Sequence, residues 1–369
     1  AKNKIGKFRQ ITGNEASAWG LIAAAEKAGL NLFLGSYPIT PATEILQELS
    51  SKKSLGVKVL QCEDEIAGIC TAIGASFAGY LAATSTSGPG LALKTEAAGL
   101  AVITELPLVI VNVQRGGPST GLPTKMEQSD LLQAIHGRHG ESPLVVLAAS
   151  TPGNCFDYAF EAARIALEHM VPVILLTDGY LGNGTELWKI PDFDNMPAIK
   201  PPLVEDNDPE YKPYKRNPER LNRHWAVPGQ KGLLHRIGGL EKSDVYGEVS
   251  HDPFNHQVMC QYRAEKVKRV ENFIPKQEIF GNQDGGELLV IGWGGTYGAL
   301  HTAVKEMREE GYDISLAQFN YMFPLPKNTG EVLGKFKKHI VCELNLGQFA
   351  EYLRGQYPDH NYMQFNKIQ

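Results

Sequence analysis

Four short segments concentrate hydroxyl, carboxylate and guanidinium groups, and each follows a run of residues that favours a β-strand. They are residues 36–41 (SYPITP), 63–65 (EDE), 84–90 (TSTSGPG) and 114–121 (QRGGPSTG). Groups of this kind bind small polar or anionic ligands when the fold brings them together. Their position along the chain therefore matters as much as their chemistry.

The first and fourth segments suit a carboxylate ligand. Two prolines fix the backbone around the hydroxyl of Thr40, and Arg115 offers a planar fork that matches a carboxylate. Less specific explanations remain open, because an ordinary strand-to-helix turn accounts for the first segment and a surface ion pair for the fourth.

The second and third segments each precede a predicted helix. The three acids 63–65 lead into a run rich in alanine and glycine, and exposed acids that stabilise a helix N-terminus explain them equally well. The hydroxyl-rich segment 84–90 is suited to oriented hydrogen bonds, but it lacks the Gly-Lys-Ser/Thr sequence of a phosphate loop. A nucleoside triphosphate is therefore disfavoured.

The elements around these segments alternate between strand and helix lengths. This alternation predicts an α/β fold with a parallel sheet and helices on both faces. Loops after parallel strands meet at the carboxyl edge of the sheet, so the four segments predict one binding site there. Asn14 is a competent cap for a helix ending near Gly29, and one continuous helix is predicted over residues 91–102.

The chain divides into three parts by composition. Residues 1–190 form the alternating region, residues 191–284 are rich in prolines and charges and predict a connecting segment, and residues 285–369 predict a second, smaller α/β domain.

Composition excludes several classes of protein. A formal charge of −5 gives no basic field for nucleic acid, and the apolar runs are far shorter than the ~20 residues that cross a bilayer. Five cysteines without a C-x-x-C pair argue against a zinc site, an iron–sulfur cluster or disulfides within this chain. We therefore expect no membrane and no metal ligands, and a reducing cytoplasmic setting. The missing initiator Met fits a piece of a longer, fused chain.

Taken together, the motifs resemble the α subunits of 2-oxoacid:ferredoxin oxidoreductases that use thiamine diphosphate, closest to the 2-oxoglutarate branch. The resemblance covers nearly the whole chain. It rests on residues 37–41 (YPITP), 63–65 (EDE), 86–90 (TSGPG), 114–124 (QRGGPSTGLPT), 136–141 (HGRHGE), 177–183 (TDGYLGN) and 292–298 (GWGGTYG). Residues 235–244 and 250–256 also look like family motifs, and structural buttressing is the better interpretation of them.

The resemblance implies a transketolase-like pyrimidine-binding domain followed by a domain like the transketolase C-terminal one. It implies that the Glu65 carboxylate bonds the pyrimidine N1′ of the cofactor and assists removal of the thiazolium C2 proton. Glu63 and Asp64 are alternatives, but Glu65 occupies the family position. Further cofactor contacts are expected from Tyr37, Pro38, Ile39, Ser87 and Gly88.

The same resemblance implies where a 2-oxoacid binds. Thr40 and Arg115 would hold the carboxylate beside the keto group. If the acid is 2-oxoglutarate, its second carboxylate needs a cation, and Lys125, His139 and Arg138 are the candidates, although exposed cations in a loop are more often simply solvated.

Partners are implied by what the chain lacks. The Gly-Asp-Gly…Asn signature that binds the metal and the diphosphate is missing, so Mg²⁺, the diphosphate site and an iron–sulfur cluster are expected on a β subunit, with a γ module, ferredoxin and coenzyme A as further partners. Alternatives are another thiamine enzyme of transketolase or acetolactate type, and a non-catalytic assembly subunit. The case for an NAD site is weak, because no strand is followed by the sequence G-x-G-x-x-G.

Overall fold

The computed structural model describes residues 5–368, so the outermost residues of the predicted first and last parts, 1–4 and 369, lie outside the described chain. Within this range the chain forms thirteen strands: β1 (Phe8–Thr12), β2 (Leu32–Ser36), β3 (Val57–Gln61), β4 (Leu81–Thr86), β5 (Leu108–Gln114), β6 (Val145–Ala148), β7 (Pro172–Asp178), β8 (Thr185–Lys189), β9 (Gly286–Trp293), β10 (Ile314–Phe319), β11 (Tyr321–Phe323), β12 (Phe336–Glu343) and β13 (Tyr362–Asn366). The same residues contain twelve α-helices: α1 (Gly13–Lys27), α2 (Thr43–Ser50), α3 (Glu65–Phe77), α4 (Gly88–Leu93), α5 (Thr95–Thr104), α6 (Leu131–His136), α7 (Asn154–His169), α8 (Gly179–Asn183), α9 (Pro253–Arg269), α10 (Tyr297–Glu309), α11 (Thr329–Gly334) and α12 (Gln348–Gln356).

A seven-stranded sheet organises the first half of the chain. Its strand order is β11-β6-β7-β5-β4-β2-β3, and every pairing is parallel except that of β11 with β6. The predicted α/β architecture with a parallel sheet is confirmed.

Alternate residues of the central strand β5 face opposite sides of the sheet. Val109, Val111 and Val113 belong to the apolar core that contains α1, α2 and α7. Leu108 and Ile110 belong to a second core on the other face, which contains residues of α3 and α5. Burial on both faces explains why this strand is a continuous apolar run, as is usual in parallel sheets.

A smaller parallel sheet, with the order β10-β9-β12-β13, forms in the last part of the chain. Leu289, Ile291 and Phe319 from this sheet lie in the same apolar core as Leu108 and Ile110 of the larger one. The second α/β unit is therefore packed onto the first through a shared core.

The connecting segment contains more regular structure than its sequence predicts, because it carries the 17-residue helix α9. Residues of α9 and of the chain before it converge on Glu105, a buried carboxylate that directly follows α5. Arg216 bonds this carboxylate at 2.7 and 2.9 Å and Lys266 at 2.6 Å, while Arg223 donates to the Glu105 carbonyl oxygen at 3.1 Å. The segment is anchored by charge as well as by packing.

Two local predictions are wrong. Thr12, not Asn14, caps α1 by accepting a hydrogen bond from the Glu15 main-chain nitrogen, and Asn14 lies inside the helix. The helix predicted over residues 91–102 is broken at Lys94, which ends α4 and begins α5. The antiparallel pair β1–β8 is an addition that the sequence pattern does not indicate.

None of the helices within residues 5–368 is long and apolar enough to cross a membrane.

Candidate active site

The four chemically unusual segments follow four neighbouring strands. In the order β3-β2-β4-β5, the strands end at Gln61, Ser36, Thr86 and Gln114. Because these pairings are parallel, all four following loops lie at one edge of the sheet. The sheet thus brings together the segments that the sequence singles out.

The acidic segment becomes the start of α3, and its three members differ in environment. Asp64 caps the helix, since its carboxylate accepts a hydrogen bond from the Ala67 main-chain nitrogen at 2.8 Å. Glu65 is the first helical residue and is half-buried, whereas Glu63 and Asp64 are exposed. Of the three, Glu65 is the one partly withdrawn from water.

Glu65 packs against the hydroxyl-rich loop and the first segment. The hydroxyl groups of Tyr37 and Thr86 lie 3.2 Å apart. A Cβ atom at Gly90 would collide with both of these hydroxyl oxygens and lie 3.0 Å from Cγ of Glu65, so only glycine lets α4 approach this closely. Burial raises the pKa of Tyr37, and the Glu65 carboxylate raises it further, against the opposing effect of the Thr86 hydrogen bond.

Lys94 is a residue of this site that the sequence analysis does not identify. Its ammonium donates to the Glu65 carbonyl oxygen at 2.6 Å and lies 5.1 Å from the centre of the Tyr37 ring. A signal was available, because Lys94 is the single charge in the run 86–95, where the helix otherwise consists of small and apolar residues.

Arg115 and Thr40 are in direct contact. Nη1 of Arg115 donates to the Thr40 carbonyl oxygen at 2.7 Å, and the Arg115 side chain is largely buried. Asn14 braces the same loop by donating to the Pro41 carbonyl oxygen at 2.8 Å. Of the neighbouring segment members, Pro38 is exposed and Ile39 is half-buried against the core.

Ser87 and Gly88 lie at the start of α4. The Ser87 hydroxyl is buried without a hydrogen-bond partner among the described residues. A Cβ at Gly88 would lie 2.9 Å from the carboxylate of Asp130, which Asn112 bonds at 2.9 Å. Burial raises the pKa of Asp130 to about 6, against the lowering effect of that hydrogen bond. Asp130 is a second polar residue of this edge that the sequence analysis misses.

The candidate cations for a second substrate carboxylate are not brought together. Lys125 is exposed, and its carbonyl oxygen accepts a hydrogen bond from the nitrogen of Gly116, the residue after Arg115. His139 instead lines a cavity of about 260 Å³ with residues of α5 and α9, and this cavity includes neither Thr40 nor Arg115.

Arg138 is a structural residue. Its Nε, Nη1 and Nη2 donate at 2.7–2.8 Å to the carbonyl oxygens of Ser142, Ala134 and Ile135, respectively. These bonds tie the loop after α6 to the end of that helix and use three of the five guanidinium N–H donors.

The connecting segment brings together one possible set of metal ligands. One ligand atom each from Glu241, His256 and Cys260 lies within 4.8 Å of the others. Arg263 already donates to both carboxylate oxygens of Glu241, at 3.1 and 2.8 Å, and to the Cys260 sulfur at 3.2 Å. Because a guanidinium already supplies the positive charge, we interpret this cluster as an ion pair that joins residues 235–244 to α9.

Comparison with known proteins finds relatives that cover most of the chain. Residues 23–252 match a family model described as pyruvate flavodoxin/ferredoxin oxidoreductase, thiamine diphosphate binding. The 2-oxoglutarate oxidoreductase subunit KorA of Mycobacterium tuberculosis is 51% identical over 352 residues, which are 95% of this chain and 53% of that protein. The chain thus spans about half the length of this relative.

Two solved structures resemble the fold. The 2-oxoglutarate:ferredoxin oxidoreductase from Magnetococcus marinus, with 2-oxoglutarate, coenzyme A and succinyl-CoA bound, has a TM-score of 0.92 and 34% identity, covering 99% of this chain and 63% of that one. A split-gene transketolase has a TM-score of 0.55 at 13% identity, covers 97% of this chain and 90% of its own, and shows the fold alone. The predicted transketolase-like fold is confirmed.

Proposed function

Because this chain belongs to the pyruvate flavodoxin/ferredoxin oxidoreductase family that binds thiamine diphosphate, we propose that it is the α subunit of a 2-oxoglutarate:ferredoxin oxidoreductase. The reaction is the oxidative decarboxylation of the 2-oxoacid to its acyl-CoA, with the electrons passed to ferredoxin. The observation that carries the proposal is the half-buried Glu65 carboxylate at the first turn of α3, packed against Tyr37 and Gly90 at the sheet edge.

The residues at this edge fit an aminopyrimidine ring. A carboxylate partly withdrawn from water can share a proton with a ring nitrogen, and the glycine at position 90 leaves its stem free of a competing side chain. The buried, unpartnered Ser87 hydroxyl is a polar group that a ligand or an ordered water would satisfy. Tyr37, Pro38, Ile39, Ser87 and Gly88 are therefore proposed as further cofactor contacts.

In this proposal the side chains of the protein position the cofactor and the substrate and neutralise the substrate's carboxylates. Thiamine diphosphate, when bound, supplies the electron sink that allows the 2-oxoacid to lose carbon dioxide. Glu65 holds the proton shared with pyrimidine N1′, which is general acid–base assistance. Arg115 and the exposed hydroxyl of Thr40 bind the carboxylate beside the keto group, and Lys125 remains the candidate for the second carboxylate.

The proposed partners follow from the same family. We propose that a β subunit supplies the diphosphate site, Mg²⁺ and an iron–sulfur cluster, and that ferredoxin and coenzyme A complete the reaction. The greater length of two relatives, those from Mycobacterium tuberculosis and Magnetococcus marinus, supports a γ module as a further partner. Five free cysteines support a reducing, cytoplasmic setting.

Glu65→Gln in the complex co-purified with the β subunit tests the proposal. The amide keeps the shape of the side chain but cannot hold the shared proton as a carboxylate does. We expect kcat for 2-oxoglutarate-dependent viologen reduction to fall roughly 10²–10⁴-fold.

The matched control is Glu63→Gln, which changes the same type of side chain at an exposed position two residues away. It should retain nearly full activity. If Glu65→Gln turned over at the wild-type rate in an intact complex, the chain would be an assembly subunit and the proposal would fail.

A further inference from the structure

Lys94 is a buried cation to which the proposed reaction assigns no role. It is 0% exposed at the junction of α4 and α5, and its ammonium makes one side-chain hydrogen bond among the described residues, to the Glu65 carbonyl oxygen at 2.6 Å. A Cβ at Gly68 would lie 3.5 Å from the same nitrogen. The ammonium therefore lies against the first turn of α3, directly beneath Glu65.

This position is a poor one for a residue that serves stability. A buried ammonium with a single partner loses most of its hydration. The start of a helix also carries a positive partial charge, which opposes a second positive charge there. Burial accordingly lowers the pKa of Lys94 to about 8, although the Glu65 carboxylate raises it. An apolar side chain of similar length would fill this space without either penalty.

The charges around the ammonium single out Glu65. The titratable groups that face it are Glu65, Cys62, Asp64, Cys70 and Tyr37. Among the charged neighbours, Glu65 has the largest effect on the pKa of Lys94. Asp64 is already committed to capping α3.

We propose that Lys94 is a positioning residue for Glu65. Its ammonium holds the first turn of α3 through the Glu65 carbonyl oxygen, and its positive charge attracts the Glu65 carboxylate. The inference rests on the proposed function of Glu65 and adds to it a residue from the junction of α4 and α5.

Lys94→Met, compared with Lys94→Arg in the purified complex with its β subunit, tests the inference. Methionine keeps the length of the stem and removes the charge, whereas arginine keeps both the charge and the donor. For Lys94→Met we expect the Kd for thiamine diphosphate, followed by fluorescence quenching at fixed Mg²⁺, to rise about tenfold, the change that corresponds to roughly one pKa unit of lost interaction. We expect kcat to fall about tenfold or more with KM for 2-oxoglutarate within about twofold, and Lys94→Arg to recover most of both losses.

The pH profile gives a readout that a purely structural role would not change. In the wild type, kcat should fall as the pH rises through about 8, because deprotonation of Lys94 removes the charge. This descending limb should be missing in Lys94→Met and shifted to higher pH in Lys94→Arg, since a guanidinium stays protonated. Lys94→Gln provides a second neutral variant in case methionine packs poorly.

Two results would overturn the inference. One is a Kd and a pH profile in both neutral variants that equal those of the wild type. The other is an equal loss in all variants, arginine included, together with a lower melting temperature, which would make Lys94 a packing residue. Glu65→Gln is measured in parallel to separate the two proposals. Wild-type turnover of Glu65→Gln would contradict the proposed function itself. An inactive Glu65→Gln together with a fully active Lys94→Met would contradict only the role of Lys94.

Discussion

His169 is a fully buried imidazole at the end of α7. Both of its ring nitrogens lack hydrogen-bond partners among the described residues, and its ring packs edge-on against Phe273 with centroids 5.1 Å apart. Burial, reinforced by the charges of Arg220 and Arg164, lowers its pKa to about 3. The folded protein therefore keeps this side chain neutral well below the usual pKa of histidine.

His169→Phe should make the fold less sensitive to acid. In the unfolded chain the imidazole has a pKa of about 6.5, so between that value and about 3 the unfolded state binds a proton that the folded state does not. The free energy of unfolding therefore falls as the pH drops below about 6.5. Urea unfolding at pH 7 and pH 5 should show that the wild type loses about 2 kcal/mol more than the variant.

The exposed His251 serves as the control for this measurement. His251→Phe should retain the pH dependence of the wild type, because this side chain is exposed and the substitution leaves the buried His169 unchanged. An unchanged pH dependence in His169→Phe would contradict the argument.

At the scale of elements, the Glu105 carboxylate joins three stretches of chain. It lies just beyond α5 in the left-handed conformation (φ 52°) and pairs with Arg216 in the connecting segment and with Lys266 on α9. Burial alone would raise the pKa of Glu105, but the two cations outweigh it and hold this pKa well below the usual range. The three groups are buried together, so removing any one of them would leave a buried charge without its partner.

Glu105→Gln should destabilise the protein by about 3–5 kcal/mol, because it leaves two buried cations without a counter-charge. Urea unfolding at pH 7 measures this loss. Glu96→Gln, at an exposed position on α5, should change the free energy of unfolding by less than about 0.5 kcal/mol. A loss of similar size in both variants would show that the ion cluster is not what anchors the segment.

Sequence patterns predict the elements that bury apolar faces and miss those that do not. The predicted parallel sheet is confirmed, and its central strand β5 is a continuous apolar run buried on both faces. Helix α9 was not predictable in this way, because two of its buried residues, Arg263 and Lys266, are charged and hide the apolar stripe. The three-residue strand β11 exists only through its pairing with β6, which no local pattern specifies.

At the scale of the whole molecule, Gln128 joins the two α/β units. Its side-chain amide donates to the Trp293 carbonyl oxygen at 2.6 Å and accepts from the Leu344 nitrogen at 3.0 Å. Its main-chain oxygen accepts from Asn345 at 2.7 Å, and the residue is fully buried. A single polar side chain thus satisfies buried groups from two different loops of the second unit.

Gln128→Leu should destabilise the protein by about 2–4 kcal/mol, because each buried group left without its partner costs roughly 1–3 kcal/mol. Differential scanning calorimetry should show a melting temperature several degrees lower. Gln356→Leu, at an exposed position, should leave the melting temperature within about one degree. Equal melting temperatures for the wild type and Gln128→Leu would contradict the role given to this residue.

The candidate site was predictable where sequence motifs follow strands and unpredictable where tertiary packing decides. The loops with Glu65 and Arg115 follow neighbouring strands, and topology alone brings them to one edge. Lys94 and Asp130 reach the same edge from helices and loops whose direction depends on packing. His139 points to a different cavity because Arg138 ties its loop to the end of α6.

The last strand of the larger sheet, β11, comes from the chain that follows β10 of the smaller one and covers the edge of β6. A gene cut between the two α/β units would therefore expose the backbone of β6, and open strand edges recruit other chains into aggregates. A chimaera that replaced the C-terminal unit with another domain would need a different segment to pair with β6 in place of β11. The larger sheet is therefore complete only when the chain of the second unit is present.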